Sequence, residues 1–246
     1  MNNNATVLQL DVGNSAVKWR LVAEQDVLAR GSCGPKELAT IAEQLPQTAN
    51  PGAIWVASVA SKAVNATLAS DLETLFGVAP WFAQTQAQTG GLTNSYAEPG
   101  RMGVDRWLAM LAARARFPGA LCVVDVGSAT TIDLVAEDGA HEGGYILPGP
   151  RLMERALLLD TDRVRFDDEI GYSLTPGRST AEAVRHGIAL AQIGAVTSIT
   201  DLDARTMVLT GGGAPVLSSL LSIRCHFIPD LVFEGLAIMD AANAQT

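Results

Sequence analysis

The sequence predicts an α/β protein of two related lobes, each opening with a strand, a tight turn and a returning strand. Three observations predict it. First, Leu10-Asp11-Val12-Gly13-Asn14-Ser15, followed by Leu21-Val22-Ala23-Glu24, recurs as Val124-Asp125-Val126-Gly127-Ser128-Ala129, followed by Leu134-Val135-Ala136-Glu137. Both copies end an apolar strand with Asp-Val-Gly, which reads as one duplicated lobe and not a solenoid array. Second, short apolar runs alternate with longer stretches of helical spacing in both halves. Third, hydrophobic residues make up 48% of the 246, enough for a sizeable core. The lobes are expected to span 1–118 and 119–246, with the first loop of each facing a cleft.

Val7–Val12 reads as a buried strand, Gly13-Asn14-Ser15 as its turn, and Val17–Ala23 as the return strand. Gln25–Ser32 adds a third strand. Pro35 opens a helical stretch through Leu45, because proline is tolerated in a first helical turn. Ala53–Val59 is a strand, Ala63–Phe76 a helix and Trp81–Ala83 a short strand. A polar, glycine-containing segment then runs to Gly103, long for a structureless loop and therefore a candidate for function. Val104–Phe117 is a strong helix. The pattern restarts with strands at Ala120–Val126, Thr130–Ala136 and Gly144–Leu147, then a helix at Pro150–Leu159. Thr180–Thr197 is a long helix capped by Ser179. Met207–Thr210 is a strand ending at Gly211-Gly212-Gly213, Val216–Leu221 a helix, His226–Pro229 a strand and Glu234–Asn243 a terminal helix.

Composition excludes several classes. No apolar run reaches the roughly 18 residues that span a bilayer, and Met1-Asn2-Asn3-Asn4 lacks the basic start of a signal peptide, so a cytoplasmic protein without a membrane partner is expected. Seventeen basic against 26 acidic residues give a net charge of −9, which argues against nucleic-acid binding. It does not argue against a small anion, for which backbone N–H groups and one arginine suffice. Cys33, Cys122 and Cys225 are scattered, as are His141, His186 and His226, so neither a zinc site nor a histidine-based triad is indicated. Neither a Gly-x-x-x-x-Gly-Lys-Ser/Thr loop nor a Gly-x-Gly-x-x-Gly fingerprint is present.

The chemistry-bearing positions sit at the turns. Small residues there let backbone N–H groups approach phosphate oxygens, and an aspartate at each strand end, Asp11 and Asp125, can hold a cation or its water. Phosphoryl transfer needs that combination, because charge spread over phosphate oxygens must be neutralised from several sides. Ordinary hairpin turns with Asx-type hydrogen bonds would use the same residues. Gly103-Val104-Asp105-Arg106 stands where the polar segment meets a helix. Asp105 there is either a base for a substrate hydroxyl or a helix cap. Arg106 is either a substrate donor or a solvated surface residue. Gly211-Gly212-Gly213-Ala214 allows backbone to approach a flat ligand such as adenine, or simply makes a strand-to-helix turn.

These segments, in this order, resemble the type III pantothenate kinases, also grouped with the Bvg accessory factor proteins. The matching runs are Asp11 to Ser15, Gly103 to Arg106, Asp125 to Thr131, Gly143 to Gly149, Ser179-Thr180, Thr210 to Gly213 and Pro229 to Leu236, covering nearly the whole chain. The resemblance implies the actin and sugar-kinase (ribonuclease H-like) fold with ATP in the interlobe cleft. It also implies a homodimer, ATP with Mg²⁺, and a monovalent cation, K⁺ or NH₄⁺. The reaction implied is phosphorylation of pantothenate to 4'-phosphopantothenate, the first committed step toward coenzyme A.

Carried over by position, the resemblance makes Asp11, Val12, Gly13, Asn14, Ser15, Ala16, Val17 and Lys18 the first phosphate loop, with Asp11 organising Mg²⁺ through water. Asp105 becomes the proton acceptor, within a pantothenate-binding segment of Gly103, Val104, Asp105 and Arg106. Tyr96 and Thr180 become further substrate contacts. Asp125 becomes the monovalent-cation ligand, and Ser128, Gly211 and Gly212 contact ATP. Ser15 and Ser128 stand where many relatives would carry threonine, which keeps the hydroxyl. A charged Leu159-Asp160-Thr161-Asp162-Arg163-Val164 replaces a smoother segment, with consequences for a nearby loop and a dimer contact. Two other readings stay open on the residues: a different small hydroxy or carboxylate substrate, and an ATP-binding regulator without catalysis.

Overall fold

β1 (Val7–Val12) carries Leu8 and Leu10 fully buried, and the sheet around it grows on both sides. The structure, a computed structural model, describes residues 6–24, 26–46, 50–160, 170–199 and 201–243. The expectations for Met1–Asn4, Gln25 and Thr161–Val164 lie outside these.

β2 (Val17–Ala23) returns antiparallel to β1, and β3 (Asp26–Cys33) continues the meander. After α1 (Ala39–Gln44), β4 (Ala53–Ser58) lies parallel to β1 on its other side. Then α2 (Lys62–Phe76) leads to β5 (Trp81–Phe82), parallel to β4. The sheet order is β3-β2-β1-β4-β5. Its core joins Leu8, Leu10, Trp19, Leu21, Ile54 and Val56 to Leu68 and Leu72, one turn apart on α2. Ser61 caps that helix by accepting from Val64 N–H, and Gly77 ends it in the left-handed conformation.

The polar segment after β5 is not structureless. It forms the two-residue strands β6 (Gln88–Thr89) and β7 (Leu92–Thr93), then a 3₁₀ turn at Pro99–Arg101. α3 (Val104–Arg116) follows, with Trp107, Leu108, Met110 and Leu111 almost entirely buried.

The second half repeats the topology. β8 (Leu121–Val126), β9 (Ala129–Val135) and β10 (His141–Pro148) form an antiparallel meander. α4 (Pro150–Asp160) and α5 (Thr180–Thr197) pack together before β11 (Thr206–Thr210), which runs parallel to β8. α6 (Ala214–Leu220) leads to β12 (Cys225–Phe227), parallel to β11, and α7 (Leu231–Asn243) ends the described chain. The order β10-β9-β8-β11-β12 matches the first sheet strand for strand. Cys122, Val124, Ile132, Val196, Met207 and Leu209 form its core. Burial pushes the Cys122 thiol up to about 12, as expected of a small buried hydrophobe.

The described chain divides into two compact units. One holds residues 6–90, 96–112 and 232–243, and the other 91–95 and 113–231. α7 therefore belongs with the first sheet, where Phe233 meets the Arg20 guanidinium at 5.0 Å.

Several boundaries move from their predicted places. The first helix starts at Ala39 and not Pro35, because Gly34–Glu37 close a turn of their own (Glu37 N–H to Gly34 O, 3.0 Å). α6 includes Pro215 in its first turn, and α7 begins three residues before Glu234. β10 is longer than Gly144–Leu147, its pairing carried past two glycines by a bulge between His141 and Gly143. β12 ends at Phe227, short of Pro229, whose missing N–H cannot extend the ladder.

Candidate active site

The first loop is built on the β1–β2 stem. Val12 and Val17 are buried and pair across the strands, and Gly13 N–H donates to Ala16 O at 3.1 Å to close the turn. Asn14 and Ser15 are thereby left exposed at the tip. Asp11 and Lys18 are cross-strand partners at the same end. Although Asp11 as a residue stays half-buried, its carboxyl is desolvated and its pKa rises from 3.8 to about 6. The Lys18 ammonium pulls it down and the Asp105 carboxylate pushes it up, so Asp11 and Asp105 feel each other's charge.

Asp105 enters at the start of α3. Gly103 precedes it with no side chain, and a Cβ there would lie 2.5 Å from Asp105 Oδ1. A Cβ at this point would press on the carboxylate, which glycine leaves room to fold back over the chain. Oδ1 also accepts from Arg106 N–H at 2.8 Å, and Gly103 O accepts from Trp107 N–H at 3.2 Å. Arg106 is buried, not a solvated surface residue. Its Nη1 donates to Tyr96 Oη at 3.0 Å, with the guanidinium 5.9 Å from that ring's centroid. Tyr96, Gly103, Val104, Asp105 and Arg106 thus form one cluster in the first unit, with Asp11 within its electrostatic reach.

In the second unit the β8–β9 turn closes through Gly127 N–H to Ala129 O (2.9 Å), and Gly149 N–H donates to Ser128 O (3.0 Å). Asp125 faces Thr131 on β9 and Thr210 on β11. Gly211, at φ +88°, presses against this strand end: a Cβ there would overlap Asp125 Oδ1 and lie 2.6 Å from Val126 O. Gly213 N–H donates to Val126 O at 2.9 Å. Asp125, Ser128, Gly211 and Gly212, from separate stretches of sequence, are therefore gathered at one end of one sheet. Thr180 stands apart as the exposed first residue of α5, whose Ser179 cap accepts from Glu182 N–H at 3.2 Å.

Among the described residues no three His, Cys, Asp or Glu side chains cluster as a metal cage. Mg²⁺ held with ATP does not need one, since it takes one or two carboxylates and completes its shell with water and phosphate oxygens. A desolvated carboxylate beside a second acidic group, as at Asp11, fits such a cation. Sequence reasoning missed Thr85, whose hydroxyl donates to Met102 O at 3.0 Å directly before the Gly103 turn. No local pattern marks a contact made across so many residues.

The family model described as type III pantothenate kinase matches residues 7–202. A type III pantothenate kinase of Azoarcus sp. strain BH72 is 37% identical over 250 residues, covering 97% of this chain and 92% of the relative. One from Halorhodospira halophila is 38% identical over 244 residues, covering 93% and 95%. Among solved structures, a Baf family transcriptional activator from Campylobacter jejuni superposes with a TM-score of 0.64 at 21% identity, over 97% of this chain and all of that one. The activator of 2-hydroxyisocaproyl-CoA dehydratase from Clostridium difficile, with bound ADPNP, gives 0.55 at 12% identity over 98% and 96%. At those identities the likeness is one of fold, the duplicated α/β ATPase fold of actin and sugar kinases.

Proposed function

The chain belongs to the type III pantothenate kinase family, and from that membership we infer an enzyme that uses ATP to phosphorylate pantothenate, in coenzyme A biosynthesis. One observation carries the reading to the residues: Gly103-Val104-Asp105-Arg106 is folded so that a carboxylate and a buried, tyrosine-bound arginine emerge from one helical turn. Asp105 accepts a hydrogen bond from the primary alcohol of pantothenate and then its proton. The alcohol oxygen forms a bond to the γ-phosphorus as the bond from that phosphorus to the β–γ bridging oxygen breaks, and ADP leaves with the electron pair. Arg106, braced by Tyr96, holds the polar part of pantothenate, and Thr180 adds a further contact. The Arg106 fork of donors suits a carboxylate or an amide oxygen.

The Gly13–Ser15 turn and Lys18 face phosphate, as do Val12, Ala16 and Val17 through the backbone of the same loop. Ser128, Gly211 and Gly212 are further ATP contacts. Mg²⁺ bound with ATP neutralises phosphate charge, and Asp11 is the residue that would hold it through water. Asp125 is the ligand for a monovalent cation, K⁺ or NH₄⁺, a role supported by its place beside the Gly211 turn. A homodimer is supported by exposed apolar side chains on β10, α4 and α5: Ile146 is 64% and Leu190 62% exposed, with Tyr145, Leu152 and Leu159 also open. No helix among the described residues is long and apolar enough to cross a membrane, and the cytoplasm is the proposed site of action.

ADP release by the purified chain tests this reading. Turnover should require both ATP and pantothenate, and should collapse when sodium alone replaces potassium. Turnover without pantothenate overturns the substrate assignment, and full turnover in sodium overturns the monovalent-cation role.

A further inference from the structure

We propose that Thr85 is a positioning residue for the catalytic turn, setting Asp105 by holding the peptide group ahead of Gly103. The inference rests on the kinase reading above and adds to it a residue outside every recognised motif.

With no Cβ at Gly103 the Asp105 carboxylate lies over the chain there, and the same missing side chain leaves this link with more rotational freedom than any other residue would. A base must nevertheless be held in a narrow geometry, since a displacement of about 1 Å can cost about 10²-fold in rate. Something outside the glycine has to supply the restraint. The residue before it, Met102, is fixed on three sides. Its side chain is 3% exposed, its N–H donates to Pro99 O at 3.1 Å, and its carbonyl accepts the Thr85 hydroxyl at 3.0 Å.

The first two contacts fix where Met102 lies. The third restrains which way the Met102–Gly103 peptide plane faces, because turning the carbonyl about the flanking single bonds breaks its hydrogen bond to Thr85. That plane sets the direction in which the chain enters Gly103, whose own carbonyl then receives Trp107 N–H to start α3. Thr85 is half-buried and lies between β5 and β6 in the same unit as Asp105. Without its hydroxyl the Met102 carbonyl loses this restraint, while the rest of α3 stays anchored by Trp107 and Leu108. The loosened part is thus confined to the turn that aims the base.

The test compares Thr85→Val, close in shape but lacking the hydroxyl, with Thr85→Ser, which keeps it. In steady-state assays alongside the wild type, Thr85→Val should lose about tenfold in kcat with the KM for ATP unchanged, and Thr85→Ser should stay within about twofold of wild type. Amide hydrogen exchange across Gly103–Arg106 should quicken about tenfold in Thr85→Val and not in Thr85→Ser, with or without substrates. Equal kcat in Thr85→Val and wild type, or unchanged exchange in that turn, overturns the proposal, as does a lowered Tm in Thr85→Val with kcat intact. A wild-type enzyme that turns over no pantothenate defeats the functional reading instead, and exchange in the turn then decides the Thr85 assignment by itself. Should Thr85→Val not fold, Thr85→Ala is read by the same two measurements.

Discussion

Asp11 and Asp105 are both carboxylates near one end of the first sheet, and the function proposed above gives them different work. Burial holds the Asp11 carboxyl at about 6 in the folded chain, so the native state keeps its proton where the unfolded chain has released it. The sign follows: stability falls as pH rises from about 4 to about 6, then stays level. Asn at this position cannot ionise and escapes that cost. Asp11→Asn should therefore be more stable than wild type at pH 7 by about 1–3 kcal/mol, lose that advantage below about pH 4, and turn over poorly. Asp105→Asn should still bind ATP and pantothenate while kcat falls by about 10²–10⁴. Chemical denaturation at pH 4 and 7, set beside kinetics, checks both. An Asp11→Asn enzyme no more stable at pH 7, or an Asp105→Asn enzyme of normal rate, sinks the respective role. Both aspartates are evident from sequence alone, through the repeat and the Gly-x-Asp-Arg run. Their mutual repulsion is not, because it needs the distance that folding creates.

Strands β8 and β11 show how an element turns separate motifs into one place. Asp125 ends β8 and Thr210 ends β11, and parallel pairing puts them side by side with the glycine turn folded over. Gly211 is at positive φ and lacks room for a Cβ, so Gly211→Ala is strained twice: by the left-handed backbone and by overlap with Asp125 and Val126. The variant should lose about 1–3 kcal/mol of stability, and its KM for ATP should rise at least several-fold with the KM for pantothenate little changed. An alanine variant with wild-type affinity for ATP would show that the turn does not approach the nucleotide. A comparable tertiary device lies on β9 and β10, where buried Asp133 pairs with His141 Nε2 at 3.1 Å and His141 Nδ1 meets Ser95 Oγ at 2.8 Å. In the sequence His141 is merely one scattered histidine, since its partners come from another strand and from β7's flank.

At the scale of the molecule, a net charge of −9 disfavours partners that need a basic surface, such as nucleic acid. Exposed Ile146 and Leu190 are costly to leave in water, and a twofold contact would cover such side chains on both copies at once. Light scattering at micromolar concentration should give twice the 25.8 kDa chain mass, and Leu190→Glu with Ile146→Glu should bring it down to one chain. A monomeric wild type removes the dimer from the reading.

Local chemistry alone determined the strands β1, β2, β8 and β9 and the long helices α3 and α5, while the order of the motifs along the whole sequence carried the resemblance to the family. Each of these elements rests on patterns contained within a few neighbouring residues: apolar runs, a capping serine, an Asp-Val-Gly turn used twice. Tertiary structure decided what no local window contains. It returned α7 to the first sheet, buried Arg106 against Tyr96, raised Asp11 through burial and Asp105, and brought Thr85 to the carbonyl before the catalytic turn. Periodicity records which face of an element avoids water; which element covers that face is settled only when the whole chain packs.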